Sequence, residues 1–446
     1  MRSKTASAQS QGHGFSGAFE QLLPQKKLDK VSRYKRTARG RPPRLSVSQW
    51  VYALVFHMMS GAGSLVEHLA MLTGLEMSGS SVSERRQALP WEVFVKILEV
   101  ALSPLADARR HGEAFYRGLR LVAIDGTQFS LVNTPQILRV CTKAASRRLR
   151  AAFAKLNAVV MLEVGLHNPL AAAIDAGRSE WALALELISQ LPARSLLLAD
   201  RLYGCGRFVW ELRAHCEAVG SFFLVRARLE LKSRVVRRLS DGSALVSIPL
   251  RAASGRRKIE RYFELREIWI KLRRPGFRGQ TLRLWTNLLD ARRYPALEWA
   301  RLYTQRWEQE LYYRQMKLEL RRSELLQSQT VETAAQEVAA LVLATALIAR
   351  ERARAAVGQM AVLRVSFVKV LALLQPLWLV FALAEDLLSP RQKRQLVNRF
   401  YQQMRALATA KRRHRSCPRA VRQPIRGWPR KIQNVSYEGE LAYEIV

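Results

Sequence analysis

Three acidic residues stand where a charge needs a reason. Asp125 follows the apolar run LVAI and precedes Gly126-Thr127, so it belongs to a strand with buried neighbours. A carboxylate there is costly unless it is paired or binds a metal ion. Asp200 ends the run SLLLA, at the C-terminal mouth of a strand, where ligands collect in open α/β sheets. Glu310 is singled out by helical geometry. At about 100° per residue, Tyr303, Arg306, Trp307, Glu310, Arg314 and Lys317 fall on one side of a helix, while Glu308 points nearly the other way. Tyr, Arg, Trp and Lys are the residue types that bind phosphate and stack on bases.

Carboxylates in such company suit phosphodiester cleavage. That reaction needs a neutralised phosphate, an activated water or hydroxyl, and a stabilised leaving oxygen. Two divalent cations roughly 3.5–4 Å apart supply all three, and carboxylates hold them. Plainer readings stand beside this one. Either aspartate can be a strand-end cap or turn residue. The helix stripe can be a solvated row of i,i+4 ion pairs, Arg306–Glu310 and Glu310–Arg314, although ion pairing leaves the Tyr and Trp unexplained.

The bulk of the chain points to a polyanionic partner. Its 446 residues hold 73 Lys and Arg against 36 Asp and Glu, a formal net charge of +37. Such a surface attracts nucleic acid and gains affinity by releasing counterions; an acidic membrane is the rival. At 49% hydrophobic the chain has a real core, and its length calls for two or three domains. MRSKTASAQSQGHGFSGAF has no apolar stretch of secretory type. Val370–Ala384 is too short to span a bilayer and reads as core helices broken at Pro376. Cys141, Cys205, Cys216 and Cys417 lack zinc-like spacing, so reduced thiols in a cytoplasmic protein are expected.

The elements that position the acids emerge from periodicity. Residues 1–44 read as a flexible arm, basic towards its end. There Arg39-Gly40-Arg41-Pro42 resembles an AT-hook core that lies in a narrow minor groove, with a solvated basic linker as the plainer reading. Residues 45–115 read as a helical domain capped at Ser48, Ser64 and Ser78–Ser83 and closed by Pro90. Its last helix carries Arg85 and Arg86, as a helix-turn-helix reader or a plain bundle. In residues 116–227, LVAIDGTQFSL, LNAVVMLEVGL and LAAAIDAG are strands, followed by a helix, the strand SLLLAD, a second helix and the strand SFFLVRA. That order predicts a mixed α/β sheet of the ribonuclease-H type. Residues 228–288 read as a mostly β insertion, with an Asp241-Gly242 hairpin turn. Residues 289–360 return to helix and bring in Glu310. Residues 361–446 read as a helical, basic C-terminal region, with fourteen Lys or Arg and no acid from Pro390 to Lys431. That tail is either a grip on DNA backbone or a solvated face.

Together these residues resemble a known family, the DDE transposases of insertion-sequence family 4. Its signature of Tyr, two residues, Arg, three residues, Glu, six residues and Lys is met by Tyr303, Arg306, Glu310 and Lys317. Asp125-Gly126 and Asp200-Arg201-Leu202-Tyr203-Gly204 resemble its other acidic motifs, in order, and the likeness runs over roughly residues 48–390. The resemblance implies a ribonuclease-H-like core interrupted by a β insertion between the second and third acids. It implies that Asp125, Asp200 and Glu310 hold two Mg2+ ions, for which Mn2+ can substitute. Tyr303, Arg306 and Lys317 would grip phosphates and Trp307 would stack on a flipped base; Arg314, Arg201, Tyr203, Arg85, Arg86, Arg39 and Arg41 complete the expected DNA contacts. The implied activity is cut-and-paste transposition: binding of terminal inverted repeats, cleavage at the ends and transfer of the 3′-OH to target DNA. The implied protein works as a homodimer on DNA at a bacterial nucleoid, without a membrane. The alternatives are a ribonuclease-H-like nuclease or resolvase, and an inactive DNA-binding descendant of a transposase.

Overall fold

The computed structural model describes residues 22–24, 45–141, 143, 151–252, 258–273, 280–321, 323, 325–356, 359–409, 415–416, 437–438 and 442–445. In chain order the helices are α1 (Val47–Met59), α2 (Leu65–Thr73), α3 (Gly79–Ala88), α4 (Trp91–Ala101), α5 (Pro135–Val140), α6 (Glu180–Leu187), α7 (Gly206–Val219), α8 (Ala296–Thr304), α9 (Trp307–Arg314), α10 (Val331–Ala356), α11 (Phe367–Ala384) and α12 (Pro390–Ala406). The strands are β1 (Phe115–Tyr116), β2 (Leu119–Ser130), β3 (Lys155–Glu163), β4 (Asn168–Asp175), β5 (Ser195–Ala199), β6 (Phe222–Arg226), β7 (Arg234–Arg238), β8 (Ala244–Arg251), β9 (Ile259–Arg273), β10 (Gln280–Thr286), β11 (Arg415–Ser416), β12 (Tyr437–Glu438) and β13 (Ala442–Ile445). The class is mixed α/β. Contacts group the chain into two units of discontinuous stretches: residues 1–114, 126–187 and 309–409 form the first, and residues 115–125, 188–308 and 410–446 the second. The chain passes from one to the other within β2 and within α9.

The first unit is built around α10, which packs on α1, α4, α11, α12 and β4. Its run VAALVLATALIA is buried all round, as a central helix must be. Ser46, Ser64 and Ser78 cap α1, α2 and α3, each accepting a backbone N–H three residues on. The cap of α1 is therefore Ser46 rather than the expected Ser48, because Gln49 closes a capping box with Ser46. Pro90 does not end the domain; it opens a fourth helix, α4, where a missing N–H is harmless. α11 runs unbroken through Pro376, against the expected break, since Trp378 beside it is locked between Tyr52 and Phe56 of α1. By length and composition alone α10 and α11 are apolar enough to cross a membrane; α10 is 89% buried inside the fold, α11 33%.

In the second unit the strands follow the order β2-β5-β6-β10-β9-β8-β7, with β13 on β9. β2, β5 and β6 are parallel and every later neighbour is antiparallel. The strands after residue 228 thus extend one sheet, β10 pairing directly with β6, rather than forming a layer of their own. Gly242 takes φ +82 in the β7–β8 turn, a conformation that favours glycine. Two buried arginines staple this sheet. Arg266 pairs with Asp241 and lies 4.1 Å from the ring centroid of Trp299. Arg283 pairs with Glu267 at 2.7 Å.

Candidate nucleic-acid and metal site

Parallel pairing brings the two aspartates to the same level. β2 and β5 run in register from Arg120 with Ser195 to Ile124 with Ala199, so Asp125 and Asp200 are the next residues on adjacent strands. Neighbouring strands lie about 4.8 Å apart. The apolar residues before both acids are fully buried, and the carboxylates emerge where the β2–β5 pairing ends, Asp125 midway along β2 and Asp200 just past β5, with 21% and 36% exposure.

Each aspartate has a cation beside it. Arg306 Nη1 lies 3.7 Å from Asp125 Oδ2 and Arg226 Nη1 lies 3.9 Å from Asp200 Oδ1. The Tyr303 hydroxyl donates to Asp200 Oδ1 at 3.3 Å, and the Arg306 guanidinium sits 5.9 Å from the Tyr303 ring centroid. Burial, reinforced by the Asp200 charge, pushes the Tyr303 hydroxyl pKa up, so it stays a donor. Gly204 explains the glycine of the second acidic block: a side chain there would collide with the Arg226 carbonyl, so only glycine lets this turn pass over the end of β6.

The helix after Tyr303 differs from the sequence expectation. A single helix from Ala296 to Leu320 was expected; α8 stops at Thr304, the chain turns at Gln305-Arg306, α9 restarts at Trp307, and Gln315–Leu320 winds as a π turn. The uniform stripe is therefore corrected. Tyr303 and Arg306 are buried beside the aspartates, while Trp307, Glu310 and Arg314 are exposed. In the first unit, Gln309 Nε2 donates to Val160 O at 3.2 Å and the Tyr313 hydroxyl accepts from Val160 N at 3.2 Å. These two contacts clip α9 to β3 and leave Glu310 on its outer side.

The remaining expected DNA contacts divide. Arg201 and Arg85 are exposed. Tyr203 is fully buried against Phe208. Arg86 turns inward, bonding Ser328 Oγ at 2.8 Å, Thr333 O at 2.7 Å and Glu337 at 3.3 Å, and is structural. Arg39 and Arg41 lie outside the described residues. Arg226, Lys155 and Arg321 were not singled out from the sequence. For Arg226 the signal was available, since it ends β6 beside the strand carrying Asp200.

A divalent cation is tested by the donors. Two carboxylates level with each other where two parallel strands part offer the hard oxygen ligands that such ions prefer. Two guanidinium groups supply the positive charge beside them in this structure. Among the described residues, no three His, Cys, Asp or Glu side chains are gathered to hold a metal ion. The aspartate pair therefore fits a divalent ion by its chemistry, and Glu310 follows Arg306 by one helical turn of chain.

A mixed sheet whose parallel strands β2 and β5 bring two aspartates level, in a chain of charge +37, describes an α/β protein with an acidic pair set in a basic chain. The family is shown by comparison: the model of the transposase DDE domain matches residues 116–347, and the chain belongs to that family. Members of this family typically use divalent metal ions. The chain is 28% identical over 249 residues, 55% of its length, to the transposase InsG for insertion sequence element IS4 of Escherichia coli strain K12. It spans about half the length of that curated relative, 54%. Among solved structures it is similar to a piggyBac transposase synaptic complex with hairpin DNA, at 10% identity, a TM-score of 0.46, and coverage of 87% of this chain and 84% of the other.

Proposed function

We propose that this protein is a DNA transposase that works by cut-and-paste: it binds the terminal inverted repeats of an insertion sequence, cleaves at the ends and joins the 3′-OH to target DNA. The observation that carries the reading is the register of β2 and β5, which sets Asp125 and Asp200 level within the DDE-matching segment. Asp125, Asp200 and Glu310 would supply the carboxylate oxygens for two Mg2+ ions in a ribonuclease-H-like core. Bound there, the ions would neutralise the scissile phosphate, acidify the attacking water or hydroxyl and stabilise the leaving oxygen.

The chain's own groups do the positioning. Arg306 holds Asp125, and Tyr303 orients Asp200 through its hydroxyl. Trp307, Arg314 and Arg201 present stacking and phosphate-binding groups to DNA. The unit of action is a homodimer, because two ends must be paired before joining. Asp125→Asn and Glu310→Gln should each abolish Mg2+-dependent cleavage of end-bearing DNA while end binding persists; wild-type cleavage by either variant rejects the assignment. Pre-cut ends given with a supercoiled plasmid separate transposase from nuclease, since only a transposase yields joined products.

A further inference from the structure

We propose that Lys155, Lys317 and Arg321 form a pocket at the end of β2 that takes one phosphodiester group of the DNA backbone. The proposal rests on the DNA-transposase reading and adds two residues, Lys155 and Arg321, that lie outside the Tyr-Arg-Glu-Lys signature. All three belong to the first unit.

The pocket is framed by two backbone hydrogen bonds. Leu131 N donates to Ala154 O at 3.0 Å, tying the end of β2 to the start of β3. Leu326 N donates to Ser130 O at 2.9 Å, tying the same end to the chain after the π turn. On this frame the Lys155 ammonium donates to Ser130 Oγ at 2.6 Å and the Lys317 ammonium to Gln128 O at 2.8 Å. The buried ring of Phe129 lies between them in sequence. Lys317 Nζ is 5.0 Å and Arg321 Cζ 5.5 Å from its centroid. All three residues are half-buried, and within Arg321 the Nε and Nη2 atoms are closed to solvent.

Gathering like charges needs an anion to offset it. Among the described residues, neither Lys155 nor Lys317 is paired with a carboxylate; their partners are a hydroxyl and a carbonyl. Burial, then repulsion from Arg321 and Lys155, lowers the Lys317 pKa to about 8. An anion seated among the three would relieve that repulsion. Two ammonium groups and one planar guanidinium suit a tetrahedral phosphate, which accepts hydrogen bonds from several directions. The π turn supports the same view, because such turns concentrate at functional sites.

The test combines two readouts on the full-length protein. Binding of a short duplex oligonucleotide is followed by fluorescence anisotropy across a salt series for wild type, Lys155→Gln and Arg321→Gln. Each variant should lower the slope of log affinity against log salt by about 0.9, one phosphate contact's worth. In parallel, wild-type lysines are acetylated at pH 8 with and without the duplex, or with inorganic tripolyphosphate, and read by peptide mass spectrometry. The duplex should slow modification of Lys155 and Lys317. If the protein binds DNA yet slopes and acetylation are unchanged, the pocket is refuted and the transposase reading stands. If DNA does not bind but tripolyphosphate protects both lysines, the anion pocket stands and the DNA reading falls. Protection by neither refutes both.

Discussion

Arg306 and Asp125 face each other in the second unit at 3.7 Å, the arginine side chain 8% exposed and the aspartate 21%. A charge pair so placed is sensitive to the loss of one member, because the other is left partly desolvated. The arginine of the family signature therefore acts first on an acid.

Arg306→Ala should lower stability by about 1–3 kcal/mol, the cost of leaving a mostly buried partner unsatisfied. Added Mg2+ should restore part of the loss, since an ion that binds only the folded state stabilises it by mass action. Thermal melts with and without the ion check this. A variant that melts like wild type would mean that Arg306 does not support Asp125.

Tyr303 separates packing from polarity. Tyr303→Phe keeps the buried ring and removes the hydrogen bond to Asp200, and should cost about 0.5–1.5 kcal/mol. Tyr303→Ala opens a cavity and should cost about 3–5 kcal/mol. Urea unfolding of both variants distinguishes them, and equal losses would remove the hydroxyl's role.

Arg86 and its neighbour Arg85 should behave oppositely. Arg86→Ala takes the cation from Glu337, whose side chain is 5% exposed and keeps hydrogen bonds from Ser328 Oγ and Gln327 N, and should destabilise the first unit by about 1–3 kcal/mol. Arg85→Ala should leave the melting temperature unchanged and weaken DNA binding. A DNA-binding defect without a stability defect in Arg86→Ala would return that arginine to the contact surface.

Lys317 gives a pH prediction. Its folded pKa is lowered from the ordinary 10.5 to about 8, by burial first and then by Arg321 and Lys155. The unfolded chain thus holds more protons between pH 8 and 10.5, so this group's contribution to stability rises with pH across that window; its penalty is fully present below it. DNA binding should run the other way. Affinity should fall as pH rises through about 8, and Lys317→Arg should flatten the fall because guanidinium does not titrate there. An identical pH profile for wild type and Lys317→Arg would show that Lys317 does not meet the phosphate.

Much of the sheet was legible because strands with apolar runs announce themselves. LVAID, NAVVMLE and SLLLA became β2, β3 and β5, and the Asp241-Gly242 turn became the β7–β8 hairpin. The levelling of Asp125 with Asp200 was not legible, since register is set by strand pairing and not by either strand alone. The burial of Tyr203 was not legible, since Phe208 and the tight Gly204 turn that hold it inward act through the fold. Arg86 was misjudged because its partners, Ser328 to Glu337, lie some 250 positions along the chain. Ideal helical periodicity also hid the turn at Gln305-Arg306, which no glycine or proline marks.

The π turn at Gln315–Leu320 holds about one residue more than an α turn would. The interval between Glu310 and Lys317 consequently begins as ordinary α-helix and ends in overwide winding, not as two plain helical repeats. Deleting Gln315 would keep every reactive group of the signature. It would also let the winding tighten and swing Lys317 and the downstream chain by about 100°. Such a chain would be damaged in its arithmetic alone, with its chemistry untouched.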